Sequence, residues 1–264
     1  MKLTILGSGT STGVPLIFCK CRVCKSKDPK NNRLRASARI EIGKTSFLID
    51  TSTDLRQQAI RFGVDRIDAI FFTHPHADHV AGIDEVRSFN MKQGDSIPAY
   101  ANQWTESELK KRFSYIFSPG KVEGGGIPQI TLTRILKTTK SIKFNGVEVI
   151  PVRVKHGSKW VLGYRFDSIA YVTDCSYIPS ESLSLLRELD VLVLDCLRLA
   201  PHRTHLNLEK ALEVINVLTP RRTILTHLGH DFDYQTWKRK LPKNVELAFD
   251  GMVINANRKR KALK

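Results

Sequence analysis

Asp68-Ala69-Ile70-Phe71-Phe72-Thr73-His74-Pro75-His76-Ala77-Asp78-His79-Val80-Ala81-Gly82 joins a short apolar run to three histidines and an aspartate. The apolar half has the length and composition of a buried strand, and the polar half is a loop of metal-ligating side-chain types. His74 and His76 alternate at strand spacing, so their rings can leave the chain on one side. Asp78 and His79 follow where a helix could begin and aim at a neighbouring point. Four such side chains packed so closely imply two ions. A solvated histidine loop would account for a lone histidine, but not for this spacing directly beyond a hydrophobic run.

Upstream, residues 2–6 read as a first strand. Gly7-Ser8-Gly9-Thr10-Ser11-Thr12-Gly13-Val14-Pro15 then makes a turn of small residues. Such a turn either offers backbone amides to a phosphate or is a tight connection between strands; it lacks the Gly-Lys-Ser/Thr of a P-loop. Residues 39–42 and 45–49 form a hairpin about Gly43-Lys44. Asp50 at its end could orient histidines from behind, or cap a helix over 54–62 that stops at Gly63.

Downstream, 97–100 resembles a short edge strand and 105–113 a helix with Thr105 as its N-cap. Residues 118–128, rich in glycine and proline, read as a flexible loop, a candidate lid or linker, taken as a mobile loop within one domain. Strand 147–154 runs into His156. A hairpin of 160–166 and 168–172 turns at Asp167 and leads to Asp174. Strand 191–194 ends in Asp195 and strand 222–226 in His227, with helices over 183–189 and 208–218. A polar residue at the end of each strand is how a site is built along one sheet edge.

At 264 residues, 41% hydrophobic and 26% charged, the chain has the composition of an ordinary globular protein. It is read as one domain over 1–256 with a basic, disordered tail over 257–264. No window approaches the roughly 18 apolar residues of a membrane span, and the start reads as a strand and not a signal peptide. A cytoplasmic protein without membrane contact is expected. The five cysteines are an odd set. Cys19, Cys21 and Cys24 are too close together to pair sensibly, so metal binding explains them better, while Cys175 and Cys196 read as buried free thiols. The net charge of +16 calls for an anionic partner, a phosphorylated small molecule or nucleic acid. Much of the excess lies in 20–35 and in Arg258-Lys259-Arg260-Lys261-Ala262-Leu263-Lys264, which weakens the nucleic-acid reading.

Taken together, these residues resemble the metallo-β-lactamase superfamily, whose signature is His-x-His-x-Asp-His followed at long range by histidine, aspartate and histidine. His74, His76, Asp78 and His79 match the first part, and His156, Asp174 and His227 the second. The likeness runs from the first strand to about Gly251. It implies an α/β fold, the four-layer αββα sandwich, with one ion on His74, His76 and His156, a second on Asp78, His79 and His227, and Asp174 bridging. Zinc, manganese or iron suits such ligands. Residues 7–15, the cysteine cluster, and Ile224-Leu225-Thr226-His227-Leu228-Gly229-His230 with Phe249-Asp250-Gly251-Met252 further resemble the PhnP-like phosphodiesterases. That likeness implies a structural zinc on Cys19, Cys21, Cys24 and His230. It also sets His205 beside the phosphate as proton donor or phosphate ligand, although a histidine before a helix could equally be a surface cap. Asp78 counts as catalytic as well as a ligand.

The activity implied is hydrolysis of a small cyclic phosphodiester, a phosphoribosyl cyclic phosphate above all, by a hydroxide shared between two ions. Ser8, Thr10 and Lys159 are added as substrate contacts, with Arg198 and Arg203 behind them on chemical grounds. His202 matches nothing and is expected on the surface. One alternative is an RNA 3′-processing nuclease of the tRNase Z type; its usual long arm finds no room between His156 and Asp174. Another is a noncatalytic carrier like the pyrroloquinoline quinone biosynthesis member, against which the full ligand set argues. A homodimer is allowed for.

Overall fold

A computed structural model describes residues 1–118 and 126–256. The tail 257–264, and residues 119–125 of the segment read as a mobile loop, lie outside the described residues. One seven-stranded sheet runs in the order β14 (Val253–Asn255), β1 (Lys2–Gly7), β2 (Ser37–Ile42), β3 (Thr45–Ile49), β4 (Ala69–Phe71), β5 (Ile97–Asn102), β6 (Ile130–Ile135). The other runs β13 (Val245–Leu247), β12 (Arg222–Thr226), β11 (Val191–Asp195), β10 (Ile169–Val172), β9 (Lys159–Phe166), β8 (Val147–His156), β7 (Ile142–Phe144). The helices are α1 (Leu55–Phe62), α2 (Ala77–Val80), α3 (Val86–Gln93), α4 (Gln103–Arg112), α5 (Ser114–Phe117), α6 (Ser180–Leu185), α7 (Leu208–Leu218) and α8 (Tyr234–Lys240).

Period-two alternation sorts the buried side chains into layers. Phe47 and Phe71 from the first sheet meet Tyr164, Phe166 and Val193 from the second in a central core. The intervening residues point outward. Leu48 and Ile70 pack beneath the α1 and α3 side, and Leu192, Leu194 and Val172 beneath α6 and α7. Strands covered on both faces must be apolar almost throughout, which is why β4 and β11 read as unbroken hydrophobic runs. The result is the αββα sandwich that the resemblance implied.

Three local expectations change. The strand at 97–100 is not an edge: β5 extends to Asn102 and is flanked by β4 and β6. The N-cap of α4 is Asn102, whose side-chain oxygen accepts from the Thr105 amide at 2.9 Å, so the helix starts a turn before the capping box suggested. The helix read over 183–189 is α6, which ends at Leu185. The rest of the reading holds closely, with α1 stopping at Gly63 in the left-handed region (φ 63°).

β3 and β4 are parallel, as are β10, β11 and β12, and β8 joins β10 through the intervening β9 hairpin. Their carboxyl ends therefore open on one edge of the sandwich, where ligands of α/β sheets collect. The Leu162 amide donates to Thr73 O at 3.1 Å and Tyr164 Oη to Phe72 O at 2.6 Å, locking the two sheets together at the root of the histidine loop.

Candidate metal centre

Most polar residues of the site are delivered by strand ends. Asp50 follows β3, His74 and His76 follow β4, His156 closes β8, Asp174 follows β10, Asp195 closes β11 and His227 follows β12. Asp78 and His79 ride on the single turn α2. Asp50, Asp174 and His227 all adopt left-handed backbone (φ 61°, 51° and 59°), a conformation L-residues avoid and that surrounding structure must impose. The loop itself is clamped. The Gly82 amide donates to Thr51 O at 3.0 Å, and Arg112 Nη1 donates to Pro75 O at 2.7 Å. A side chain at position 82 would put its Cβ 2.0 Å from Ser52 O, so only glycine lets the backbones approach this closely.

The structure brings His74, His76 and His156 together in one group and Asp78, His79 and His227 in another, with Asp174 beside both. His79 Nε2 lies 3.1 Å from Asp78 and 3.2 Å from Asp174; His227 Nε2 lies 3.5 and 3.4 Å from the same carboxylates. Yet His74 Nε2, His79 Nε2 and both ring nitrogens of His227 are buried without a hydrogen-bond partner. Buried polar atoms are rarely left so. Two ligands about 2.1 Å from a tetrahedral ion stand roughly 3.4 Å apart, which is the spacing found, so the donor set fits divalent cations. Behind the cluster, the other ring nitrogens are held: His79 Nδ1 sits 2.7 Å from Asp50, and His156 Nδ1 donates to Thr204 O at 2.8 Å. Such partners fix the tautomer and leave Nε2 facing inward.

The electrostatics agree. Burial lowers His74, His76 and His156 below the ordinary histidine value, favouring the neutral rings that metals bind. Burial also opposes charge on His79, but Asp174, Asp78 and Asp50 around it push its ring well above that value. The surrounding carboxylates thus favour a positive charge at this point.

His205 lies just outside this set. Its Nε2 is 3.8 Å from Asp174, and its Nδ1 is 3.3 Å from Asp195. Burial pulls its ring down, but the fully buried Asp195 outweighs that and lifts it to about 9. Asp195 also accepts from the Leu206 and Asp174 amides at 3.0 and 3.2 Å. The sequence marks it as one more strand-terminal aspartate, and that recurring position is the signal for its role.

The glycine-rich turn proves to be a tight connection. Gly9 and Thr10 amides donate to Leu34 O and Leu228 O, and Val14 donates to Arg33 O. Ser8 must be withdrawn as a substrate contact: it is fully buried, and its amide and hydroxyl both donate to Asp250 Oδ1 at 2.9 and 2.8 Å. Thr10 is half-buried beside Leu228. Lys159 is exposed on the flank of the site, 5.4 Å from the Trp104 ring. Arg198 is committed to the carbonyls of Ala200 and Pro201. His202 is exposed.

Apart from this centre, Cys19, Cys21 and Cys24 Sγ stand 3.3, 3.4 and 3.6 Å from His230 Nδ1. No disulfide forms, and Cys175 and Cys196 are free and buried. Burial raises Cys21, but the Cys24 amide, His230 and the neighbouring sulfurs outweigh it and bring the thiol to about 6. Four donors of this kind suit a closed zinc site. Arg33, 2% exposed, fastens the same region by donating to Gly229 O and Phe232 O at 3.1 and 2.6 Å.

Residues 45–228 match the family model described as the beta-lactamase superfamily domain. A Porphyromonas gingivalis protein called octanoyltransferase is 34% identical over 256 residues, covering 96% of this chain but 51% of that protein. Coenzyme PQQ synthesis protein B of Rhodopseudomonas palustris is 32% identical over 115 residues, 39% of this chain and 36% of its own. The chain thus spans about half, or less, of the curated relatives it matches. Among solved structures, a diphosphatase from the PhnP family superposes with a TM-score of 0.89 at 42% identity, covering 97% of this chain and 98% of that one.

Proposed function

We infer that this chain, which belongs to the beta-lactamase superfamily and is a metal-dependent hydrolase, cleaves a small phosphodiester, a ribose cyclic phosphate first among the candidates. The observation that carries the reading is the His205–Asp195 pair set against the unpartnered imidazole cluster. Its 42% identity to a PhnP-family diphosphatase supports chemistry at phosphorus. Residues 1–256 are taken as one domain.

His74, His76 and His156 would hold one divalent cation, and Asp78, His79 and His227 a second, with Asp174 between them. Manganese and zinc suit the imidazole and carboxylate donors, and iron is compatible with them. Bound there, such ions supply Lewis acidity that offsets phosphate charge and eases deprotonation of water. The chain's own residues do the rest. Asp50 and the Thr204 carbonyl hold the histidine tautomers. His205 carries a proton on the nitrogen facing Asp174, positioned to protonate the sugar oxygen as it leaves phosphorus, and Asp195 stabilises the charged ring. Cys19, Cys21, Cys24 and His230 would hold a structural zinc that pins the N-terminal loop to the segment after β12.

A tRNase Z role is less well supported, because β9 and β10 fill the interval between His156 and Asp174 and no arm emerges there. Octanoyl transfer belongs to a relative twice the span of this chain and is not carried over. The test is a panel assay: metal-analysed protein is offered ribose cyclic phosphates, bis(p-nitrophenyl) phosphate and precursor transfer RNA. Cleavage of RNA without turnover of cyclic phosphates would overturn the reading.

A further inference from the structure

The imidazoles of the two ligand groups are not equally supported. His74 Nδ1 lies 3.0 Å from Thr73 Oγ1, His79 Nδ1 2.7 Å from Asp50, and His156 Nδ1 2.8 Å from Thr204 O. His227 has the Asp195 carboxylate 3.8 Å behind its Nδ1. His76 differs: it is the exposed member of its group, and among the described residues no hydrogen bond reaches its ring. The backbone that carries it is nearly as bare. Between the His74 amide and the His76 amide, the hydrogen bond found among the described residues is the one from Arg112 Nη1 to Pro75 O, at 2.7 Å.

Both supports of His76 come from one helix. Trp104, in the first turn of α4, stands edge-on to the His76 ring, with 6.0 Å between centres and 88° between planes. Arg112, the last residue of α4, grips the peptide that leads into His76, and because a peptide is planar this bond fixes the direction from which His76 is reached. The helix is itself anchored. Its Leu109 is fully buried, and its N-cap Asn102 donates through Nδ2 to Trp160 O at 3.0 Å. Glu108 Oε2 accepts from Arg112 Nε and Nη2 at 3.2 and 3.0 Å, leaving Nη1 for Pro75. Asp78 and His79 have other ties: Thr53 Oγ1 donates to Ala77 O at 3.1 Å and Thr51 Oγ1 to Val80 O at 3.2 Å, holding both ends of α2.

We propose that Arg112 and Trp104 are positioning residues for His76, so that α4 sets how tightly the cation on His74, His76 and His156 is held and leaves the cation on Asp78, His79 and His227 unaffected. The proposal rests on the dinuclear reading above and adds to it two residues that lie outside the ligand signature. A ligand that must be oriented at the moment of binding loses rotamer freedom then, which weakens affinity. A ring and a peptide already held in place avoid that loss. His76 has no carboxylate or carbonyl behind its ring to do this, so the task falls to the helix. The two ions therefore depend on different parts of the chain, one on Asp50 behind His79 and the other on α4 around His76.

Manganese(II) tests it, because imidazole and carboxylate donors accept this ion while thiolates prefer zinc. The ion is titrated into the full chain, freed of active-site metal by a mild chelator, and free manganese is read from its electron paramagnetic resonance signal, which counts each bound equivalent. Wild type should take up two. Arg112→Gln and Trp104→Leu, each checked for folding by circular dichroism, should weaken one equivalent by about tenfold and leave the other within about twofold. Arg112→Lys, which restores a cationic donor, should recover most of the loss. His76→Ala should abolish that same equivalent, and adding Arg112→Gln to it should leave the remaining ion unchanged, since the group being positioned is gone. Weakening of both equivalents alike, weakening of neither, no recovery with lysine, or a further loss in the double variant would overturn the proposal and leave the dinuclear reading standing. A wild type that binds fewer than two ions would refute that reading and the proposal with it. Uptake, not turnover, is the readout, so neither result depends on which phosphodiester is cleaved.

Discussion

Replacing His205 by alanine removes the proton donor and leaves the ligand set whole. A ring titrating near 9 is protonated in about 99 of 100 molecules at pH 7. The wild type therefore works in its acid form at neutral pH and loses it as pH rises. Divalent cations would oppose the contribution of Asp174 but not the contact with Asp195, so the alkaline fall in kcat is expected at or below about pH 9. A positioned acid contributes about 10²–10⁴ in rate, on the order of 3–5 kcal/mol of barrier. That loss is expected with a ribose cyclic phosphate, whose leaving oxygen is a basic alkoxide. With bis(p-nitrophenyl) phosphate, whose leaving group departs as a stable anion, the loss should stay below about tenfold, because little proton transfer is needed. Initial rates on both substrates across pH, with metal content measured on the same samples, decide it. Equal losses on the two substrates would refute the acid role, and loss of metal would make His205 a ligand.

Two further substitutions probe the supports. Asp50→Asn keeps the shape but removes the charge 2.7 Å from His79 Nδ1, and should weaken metal affinity by about 10–100-fold in competition with a chelator; unchanged affinity would show that His79 needs no such partner. Cys21→Ser should lower bound zinc by about one equivalent and the melting temperature by on the order of 10 °C, with turnover per folded molecule retained. Equal zinc loss at an unchanged melting temperature would contradict a structural role.

Much of this was legible because ligand chemistry and strand ends coincide along the chain. The run through His79, and later His156, Asp174 and His227, each follow an apolar segment that could only be a buried strand. What stayed hidden depends on partners far away in sequence. Ser8 looked like a phosphate contact because nothing nearby occupied its hydroxyl; its partner is Asp250, at the other end of the chain. Asp195 looked like any aspartate after a strand until His205 folded back upon it. No local pattern announces that Trp104 and Arg112, at the two ends of α4, close on the ring and the backbone of His76. The strand at 97–100 reads as an edge, yet β6 pairs along its whole length.

The pairing of β1 with β14, Lys2 opposite Asn255, bears on how the molecule is made. Within this sandwich the first strand to be synthesised waits for the last to cover its outer side. Until residues 253–255 emerge, β1 presents an open row of amides and carbonyls of the sort that recruits other chains. A truncated product ending anywhere before Val253 keeps that row exposed permanently. Sandwiches cut short there should therefore partition into aggregates, while one that includes β14 closes its own seam.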